Sequence, residues 1–290
     1  MSARNAAAQT AFGPMVLAAI EHNEPAHRRL VDDDLAASFL PRRLRTLVWM
    51  TRHGALRRSA MAAAERSGPG LWASVVCRKR YIDERLSDPL NETDAVVVLG
   101  AGLDTRACRI ARHGDLPVFE VDQQVNIDRK AAALSRVFGA IPPSVHLVPV
   151  DFEKDTLLPT LESYGYRRDR RTFFIWEGVT QYLSPDAVRA TLAQTGGAAP
   201  GSRLIFTYIR QDFIDGTELH GAERVYRRFR TRDAVWRSGL VPEDVADLLA
   251  ENGWRLVEQA GPSYFRDTYI RPTGRAVTAS PIEWTVLAER

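Results

Sequence analysis

The sequence has little cysteine: Cys77 and Cys108 are its only two, and they do not form a CxxC pair. This count excludes a disulfide framework and a structural zinc site. No basic partner at a defined spacing favours a reactive thiolate, so both cysteines are expected to be inert core residues. Such cysteine usage is typical of the cytoplasm, and we predict a cytoplasmic protein without a metal site.

A long hydrophobic run is also missing. The longest stretch without a charged residue, 5–20, is broken by Gly13 and Pro14, and no cluster of basic residues flanks it. It is therefore neither a spanning helix nor a good signal peptide. We expect no membrane partner.

Lysine is scarce, because only Lys79, Lys130 and Lys154 occur among 39 basic residues. The 36 acidic residues nearly balance the basic ones, and the net charge is +3. Basic runs at 167–171 and 227–232 are interleaved with acids and form no stripe with alternating aromatics. Such runs predict solvated ion pairs rather than a nucleic-acid surface, so no nucleic-acid partner is expected.

Hydrophobic residues make up 45% of the chain and charged residues 26%, which is typical of a folded globular protein. The first ninety residues contain no strand pattern, and 44–56 and 75–86 have the apolar spacing of amphipathic helices. Short apolar runs then alternate with helix-like stretches, which predicts a parallel sheet covered on both faces. The five runs are 95–99, 117–122, 145–150, 172–177 and 203–209.

Two later apolar runs, 254–259 and 282–287, have no long helix-like stretch between them and are predicted to form an antiparallel pair. A helix is expected from Pro242 to Gly253. Together these elements predict an α/β fold with a seven-stranded, mostly parallel sheet and an antiparallel last strand.

Three regions are predicted along the chain. Residues 1–90 form an N-terminal helical lid region, and 91–290 form the core. Within the core, 210–240 is an insertion that would lie over the crevice at the carboxyl edge of the sheet as a substrate cap.

The first predicted strand runs into Gly100 and Gly102, which would let a ligand approach the backbone closely. A dinucleotide fingerprint requires a third glycine where Thr105 stands. The pattern therefore argues against NAD as the ligand and favours a nucleoside without phosphates.

Acidic residues stand at the ends of the next three predicted strands: Asp122, Asp151 and Glu177. Asp122 is suited to both hydroxyls of a ribose. Asp151 is suited to an adenine amino group, with the ring of Phe152 beside the base. The alternative for all three acids is that each caps a following helix.

These motifs together resemble the leucine carboxyl methyltransferase family, and the resemblance covers most of the chain. It rests on several ordered segments, which are more specific than a glycine loop alone. The segments are 78–83, 100–106, 119–122, 148–152, 176–183 and 252–254.

The resemblance implies a class I S-adenosylmethionine-dependent methyltransferase with a Rossmann-like fold. In that family's pattern, Arg78 binds the methionyl carboxylate of the cofactor, and Glu177 faces the methionyl ammonium. Gly100 lies beneath the methionyl and ribose part, with Gly102 in the same loop. Asp122 holds the ribose. Asp151 and Phe152 frame the adenine.

The resemblance leaves the acceptor open. A carboxylate, with a pKa near ~4, needs no general base, whereas a phenol, with a pKa near ~10, does. Tyr182, Tyr208 and His220 are the candidate catalytic residues, and His53 is a further candidate base. Tyr226 and Trp236 are expected to help form an aromatic acceptor pocket, although each aromatic residue could equally pack the cap onto the sheet.

We predict an O-methyltransferase that modifies a carboxylate of a small molecule in secondary metabolism, with a homo-oligomer compatible with the sequence. The alternative acceptors are a peptide or protein C-terminal carboxylate and a phenol. From other classes, an NAD-dependent oxidoreductase would share the glycine loop and Asp122 but would not need Arg78 or Glu177. A non-catalytic nucleoside-binding module is the third alternative.

Overall fold

The computed structural model describes residues 12–87 and 92–290, and a single seven-stranded sheet is its centre. Each strand lies at one of the predicted apolar runs. Their bounds are β1 Ala95–Leu99, β2 Val118–Asp122, β3 Val145–Pro149, β4 Thr172–Trp176, β5 Arg203–Ile209, β6 Arg255–Ala260 and β7 Glu283–Glu289.

The order of the strands across the sheet is β3-β2-β1-β4-β5-β7-β6. Strands β1 to β5 pair in parallel, and β7 is antiparallel to both β5 and β6. This confirms the predicted fold class. The carboxyl ends of β1 to β4 consequently meet at one edge of the sheet, where open α/β sheets bind ligands.

The last two strands differ from the prediction in their connection. They are antiparallel neighbours, as expected, but they do not form a simple hairpin. Helical turns fill the segment between them, over Pro262–Phe265, Arg266–Ile270 and Arg271–Thr273. Prolines at the first positions of two of these turns fit helix starts, because proline lacks the N–H that a first turn leaves unpaired.

The central strands are buried on both faces of the sheet. Because successive side chains of a strand point to opposite faces, each strand contributes to two cores. In β1, Val96 and Val98 belong to a core that includes the N-terminal helices, whereas Val97 and Leu99 belong to the core on the other face. Val97 lies opposite Phe119 of β2 in the register. The sheet is thus a rigid platform for the loops at its carboxyl edge.

Helices cover both faces of the sheet. In chain order, the α-helices of the described segments are α1 Phe12–Glu21, α2 Ala36–Phe39, α3 Arg42–Met50, α4 Gly54–Ser67, α5 Leu71–Ser87, α6 Arg106–Ala111, α7 Gln124–Phe138, α8 Leu157–Ser163, α9 Pro185–Thr195, α10 Gln211–Asp215, α11 Glu223–Tyr226, α12 Val245–Glu251 and α13 Pro262–Phe265. None of these helices is long and apolar enough to cross a membrane.

Local sequence sets several helix ends. The Ser184 side chain accepts a hydrogen bond from the backbone N–H of Ala187 and caps α9, with Pro185 at the first position. The helix predicted from Pro242 to Gly253 is present as the 3-10 turn Pro242–Asp244 followed by α12.

The predicted helix at 44–56 is wrong in extent, because α3 ends at Met50 and α4 begins at Gly54. The Thr51 hydroxyl donates to the Val48 carbonyl at 2.6 Å, and the Asn23 amide donates to the same carbonyl at 3.0 Å. Both bonds compete with continuation of the helix at this carbonyl.

The N-terminal helical region packs directly on the sheet. Trp72, Val76 and Tyr81 of α5 share a core with Val96 and Ile205. The predicted boundary between 1–90 and 91–290 lies at 88–91, outside the described residues, as do residues 1–11 of the predicted lid.

Candidate active site

A cavity of about 850 Å³ lies at the carboxyl edge of the sheet. The loops after β1 to β4, the N-terminal helices and the segment 210–240 all contribute to its lining. All the residues that the family resemblance assigns to the cofactor line this cavity: Arg78, Gly100, Gly102, Asp122, Asp151, Phe152 and Glu177.

The glycine loop after β1 has a left-handed backbone, with φ of +71° at Gly100 and +47° at Gly102. A Cβ on Gly100 would lie 2.3 Å from Cγ2 of Val179, so this position has no room for a side chain. The Gly100 N–H donates to the Val121 carbonyl at 2.7 Å and ties the loop to the neighbouring strand. Glycine is required here by both conformation and space.

Asp122 ends β2 and holds the same loop. Its Oδ2 accepts from the Gly102 N–H at 2.7 Å, and its Oδ1 accepts from the Gln123 N–H at 2.7 Å and the Asn126 amide at 2.8 Å. Burial raises the pKa of this carboxyl, although the three hydrogen bonds oppose the shift. A carboxylate offers about four acceptor positions, so Oδ2 retains one for a hydroxyl in the cavity.

Arg78, on α5, joins the N-terminal region to the end of β4. Its Nε donates to Glu177 Oε1 at 3.0 Å, and its Nη1 donates to Glu283 of β7. The two carboxylates raise the pKa of the buried guanidinium against the effect of burial. No acceptor in the described part of the chain contacts its Nη2, which therefore remains available to an anion in the cavity.

Glu177 directly follows β4 and is surrounded by cations. Besides Arg78, Arg106 Nη1 contacts its Oε2 at 2.7 Å, and Lys79 Nζ lies 3.4 Å from its Oε1. Burial disfavours the charge, but Lys79, Arg106 and Arg78 together lower the pKa of this carboxyl well below its usual range. Glu177 is consequently ionised and can face a cationic ligand group.

Arg106 is the main site residue that sequence reasoning missed. Its side chain is almost completely buried, with Nε 2.5 Å from Asp83 Oδ1 and Nη1 also bonded to Asp104. Its Nη2 donates to the Lys79 carbonyl at 3.2 Å. Asp104 and Arg106 lie in the glycine-loop segment 100–106, and this adjacency of charges to the glycines was the available signal.

Glu283 was missed as well. It is the first residue of β7 and lies 205 residues from Arg78 in the chain, so no spacing rule joins the two. A carboxylate at the start of a mostly apolar strand was the only hint in the sequence. Burial raises the pKa of Glu283, although Arg78 opposes the shift.

Asp151 and Phe152 follow β3 at the far end of the cavity. The Asp151 Oδ1 accepts from the Glu153 N–H at 3.2 Å, which fixes the turn. The ring of Phe152 lies 6.4 Å from that of Trp176, centroid to centroid, and forms a wall beside β4. A carboxylate next to an aromatic wall suits a planar base, as the resemblance implies.

The structure separates the three candidate catalytic residues. Tyr182 lines the cavity. Tyr208 does not: it is buried on the opposite face of β5, where its hydroxyl accepts from the Gln259 amide at 2.9 Å, while its neighbour Ile209 lines the cavity. The expectation for Tyr208 fails because adjacent strand residues face opposite sides.

His220 is also outside the cavity lining. It lies in the segment 210–240 with a left-handed backbone, φ +50°, and its Nε2 is 3.3 Å from Asp212 Oδ1. His53 and Tyr226 likewise do not line the cavity. No histidine of the described residues lines it, and residues 1–11 and 88–91 contain no histidine in their sequence.

In the half of the cavity away from the charged cluster most of the lining is apolar, although Arg228 and Arg237 of the segment 210–240 also line the cavity. Trp236, which was expected in an acceptor pocket, lines it and stacks on Phe229 with ring centroids 4.6 Å apart. We call this half the acceptor half and the half around Arg78, Asp122 and Glu177 the cofactor half. The acceptor half is lined by α1, α3, α5 and the cap segment, through Phe12, Met15, Leu44, Trp72, Val225, Phe229, Val235 and Trp236.

The described residues contain no group of three or more histidine, cysteine, aspartate or glutamate side chains placed to hold a metal ion. The donor set of the cofactor half instead fits an amino acid joined to a nucleoside. Arg78 Nη2 suits a carboxylate, Glu177 suits an ammonium, and Asp122 Oδ2 suits a ribose hydroxyl.

Comparison with known proteins supports this assignment. A sequence profile described as leucine carboxyl methyltransferase matches residues 11–196. A Mycolicibacterium paratuberculosis protein whose name describes an S-adenosyl-L-methionine-dependent methyltransferase is 30% identical over 212 residues, 72% of this chain and 63% of that protein. A protein of the same description from Mycobacterium sp. is 38% identical over 196 residues, 62% of this chain and 61% of its own length. The aligned region thus spans less than two thirds of these relatives.

Solved structures share the fold. A crystal structure from Thermobifida fusca, named as a methyltransferase, superposes with a TM-score of 0.57 at 18% identity and covers 81% of this chain and 88% of its own. A DUF574 family protein from Streptomyces avermitilis superposes with a TM-score of 0.54 at 17% identity, covering 81% of this chain and 90% of its own.

Proposed function

The chain belongs to the leucine carboxyl methyltransferase family, and on this premise we propose that it transfers a methyl group from S-adenosylmethionine to a carboxylate of a small, largely apolar acceptor. One observation carries the proposal: a single cavity joins a charged half, suited to the cofactor, to an apolar half without histidine. As the setting of this reaction we propose the tailoring of secondary metabolites.

The cofactor half has a partner for each polar part of S-adenosylmethionine. Arg78 would bind the methionyl carboxylate through Nη2, and Glu177 would face the ammonium. Asp122 would receive the ribose, while Asp151 and Phe152 would frame the adenine. When bound, the cofactor supplies an electrophilic methyl group on a sulfonium.

The ion pairs around Glu177 keep this half preorganised. Arg106 holds Oε2 of Glu177, and Lys79 lies beside Oε1, the oxygen that Arg78 binds, so the position of the carboxylate does not depend on the ligand. A charged group that is already oriented loses little freedom on binding. The same network keeps Glu177 ionised at neutral pH.

The acceptor half favours a carboxylate over a phenol. A carboxylate, with a pKa near ~4, is already a nucleophilic anion at neutral pH, whereas a phenol, with a pKa near ~10, requires a base. The lack of a histidine in the lining agrees with an acceptor that needs no base. The protein's contribution is then to place the acceptor in line with the methyl group and to exclude water.

Tyr182 is the proposed acceptor-orienting residue, because of the three candidate catalytic residues it alone lines the cavity. Its hydroxyl can donate to an acceptor oxygen. Replacement by phenylalanine is expected to raise KM for the acceptor and to leave cofactor affinity unchanged. A cofactor affinity that fell with Tyr182→Phe would contradict this role.

The cofactor is tested by calorimetric titration with S-adenosylmethionine, S-adenosylhomocysteine and NAD in parallel. We expect binding of the first two and none of the third. Binding of NAD alone would overturn the proposal and favour the alternative function, an NAD-dependent oxidoreductase.

The acceptor is tested with a panel of apolar carboxylic acids, their phenol counterparts and peptides that end in a free carboxylate, each with radiolabelled cofactor. Methyl esters release methanol in mild alkali, whereas aryl methyl ethers do not. Alkali-labile label on the small acids is the expected result. Stable label on phenols, or label on peptides alone, would replace the proposed acceptor class.

A further inference from the structure

The surface formed by α3 and α4 exposes four large apolar side chains. Leu47 and Trp49 are each 57% exposed, Leu56 is 42% exposed and Met50 is 40% exposed. These four lie within ten consecutive positions. We call them, together with five exposed arginines nearby, the α3–α4 surface; the arginines are Arg42, Arg43, Arg45, Arg52 and Arg58.

Within residues 12–87 and 92–290, the five arginines have no acidic partner and make no ion pair or side-chain hydrogen bond. Residues 35–64 contain no acidic residue in their sequence. Many exposed arginines elsewhere are paired, as Arg112 is with Asp34 at 2.7 Å and Arg189 with Glu251 at 3.3 Å. The unpaired exceptions, such as Arg170 and Arg227, are isolated, whereas five lie together on the α3–α4 surface. Because the chain as a whole is nearly balanced in charge, this is a local excess of positive charge.

The opposite side of the same helices faces the protein interior. Val48 of α3 is in the main core, while Leu44 of α3 and Ala64 of α4 line the cavity. The α3–α4 surface is therefore the outer side of the cavity roof. The contacts of these helices with the core come from other side chains: Val48 of α3 is buried, and Ala60 and Met61 of α4 are partly buried against the core.

We propose that the α3–α4 surface docks this protein peripherally onto an anionic lipid bilayer. A short amphipathic helix lies in the plane of the interface with its apolar side chains at the acyl boundary, and tryptophan is favoured at that depth. The arginines would meet lipid phosphates, to which a guanidinium can donate two parallel hydrogen bonds. Such docking needs no spanning helix, so it is compatible with the helices described above. It departs from the sequence-based expectation of no membrane partner, which considered only spanning helices and signal peptides.

A second copy of the chain fits this surface less well. In a twofold-symmetric dimer the same patch meets itself, which would bring five unpaired arginines against five others. Like charges in contact oppose association. A lipid surface provides the opposite charge and the apolar layer together.

Cosedimentation with vesicles tests the proposal. We expect the full chain to sediment with vesicles of equal parts phosphatidylglycerol and phosphatidylcholine, and not with phosphatidylcholine alone. Added salt should weaken binding, because it screens the arginines. The assay needs neither cofactor nor acceptor, so its result is independent of the proposed methyl transfer.

Two variants separate the contributions of charge and apolar contact. Arg43→Glu with Arg45→Glu is expected to weaken vesicle binding at least about tenfold, since each arginine near an anionic surface contributes to attraction. Leu47→Ser with Trp49→Ser is expected to weaken it about as much by removing apolar burial. All four side chains are exposed, so circular dichroism should show an unchanged fold.

Matched controls use exposed residues elsewhere. Arg167→Glu with Arg170→Glu changes the net charge equally, and Phe138→Ser removes an apolar side chain that is 39% exposed. Both should bind vesicles like the unchanged chain. If Arg167→Glu with Arg170→Glu weakened vesicle binding as much as Arg43→Glu with Arg45→Glu, the attraction would depend on net charge alone. That result would overturn the assignment of binding to the α3–α4 surface.

Two further outcomes would overturn the proposal. One is the absence of sedimentation with anionic vesicles. The other is a dimer in analytical ultracentrifugation that Leu47→Ser with Trp49→Ser dissociates, because the surface would then be an interface between copies. Quenching of tryptophan fluorescence by brominated lipids, lost on Trp49→Phe, would support docking through this surface directly.

Discussion

The two halves of the cavity are built in different ways. The cofactor half consists mainly of residues that directly follow strands, and backbone hydrogen bonds hold them, such as the Gly102 N–H to Asp122 at 2.7 Å. The acceptor half is assembled from the N-terminal helices and the cap, which meet through apolar side chains such as Phe229 and Trp236. The proposed cofactor site is thus built on the rigid sheet, and the proposed acceptor site is built from packed helices.

The two halves also differ in charge. Buried ion pairs around Arg78 and Glu177 dominate the cofactor half, whereas the acceptor half is mostly aromatic and aliphatic. Substitutions in the first should therefore affect cofactor affinity and stability together. Those in the second should affect acceptor kinetics and leave the cofactor site intact.

Arg78→Ala should have the largest effect. It removes the proposed carboxylate partner and leaves Glu177 and Glu283 without it, so cofactor affinity should fall about tenfold to hundredfold. Breaking a buried pair should also lower the free energy of unfolding by about 3–5 kcal/mol. Calorimetric titration and denaturant unfolding measure both, with Arg80→Ala as control because Arg80 is on the same helix but pairs with Glu84 near the surface. An unchanged affinity would remove Arg78 from the site.

Gly100→Ala should have the next largest effect. The new Cβ would be in a left-handed backbone, costing about 1–2 kcal/mol, and it would also overlap Val179. Gly139→Ala is the matched control, because φ there is +81° but no atom lies within 4 Å of a Cβ. The excess destabilisation of Gly100→Ala over this control, measured by denaturant unfolding, should be about 1–3 kcal/mol. Equal losses would show that the loop accommodates the side chain.

Trp236→Phe tests the acceptor half with a smaller effect. The indole Nε1 has no hydrogen-bond partner, and phenylalanine keeps a ring against Phe229, so the loss of stability should be about 1 kcal/mol. Cofactor affinity should stay within about twofold, whereas KM for the acceptor should rise several-fold. The opposite pattern, with cofactor binding lost and acceptor kinetics unchanged, would remove the distinction between the halves.

The smallest effect concerns pH and a buried pair next to the site. Burial raises the pKa of Glu120 to about 7 despite Lys130, whose Nζ lies 2.5 Å from its Oε1. Between about pH 4.5 and pH 7, Glu120 is therefore protonated in the folded state and ionised in the unfolded state. The free energy of unfolding consequently falls as the pH rises through this range. Glu120→Gln should flatten the fall in stability over this range. If the free energy of unfolding depended on pH in the same way for both proteins, the pKa of Glu120 would lie outside this range.

Elements with a local origin were predictable from the sequence. The apolar runs predicted all seven strands. A buried strand has a short apolar run in its sequence, and this run is present whichever strands it pairs with. The glycine loop and Asp122 were recognisable because the turn needs φ above zero and the acid directly ends a strand. The family resemblance then placed Arg78 in the same site, and the structure brings it to the cavity.

Residues that act through distant partners were not predictable in this way. Arg106 and Glu283 carry only weak local signals, since their roles depend on carboxylates and cations from other elements. The orientation of Tyr208 depends on which face of β5 points to the cavity, and sequence position alone did not reveal it. The break between α3 and α4 involves Asn23, which lies 28 residues before Thr51.

The sequence by itself therefore determined the order of strands and helices, the glycine loop and the acids at the strand ends, because backbone conformation and apolar periodicity are local properties. Tertiary structure alone decided how Arg78, Arg106 and Glu177 pair, which aromatic residues line the acceptor half, and which apolar residues stay on the surface. Those outcomes depend on distances between residues far apart in the chain, which only the packing of helices on the sheet fixes.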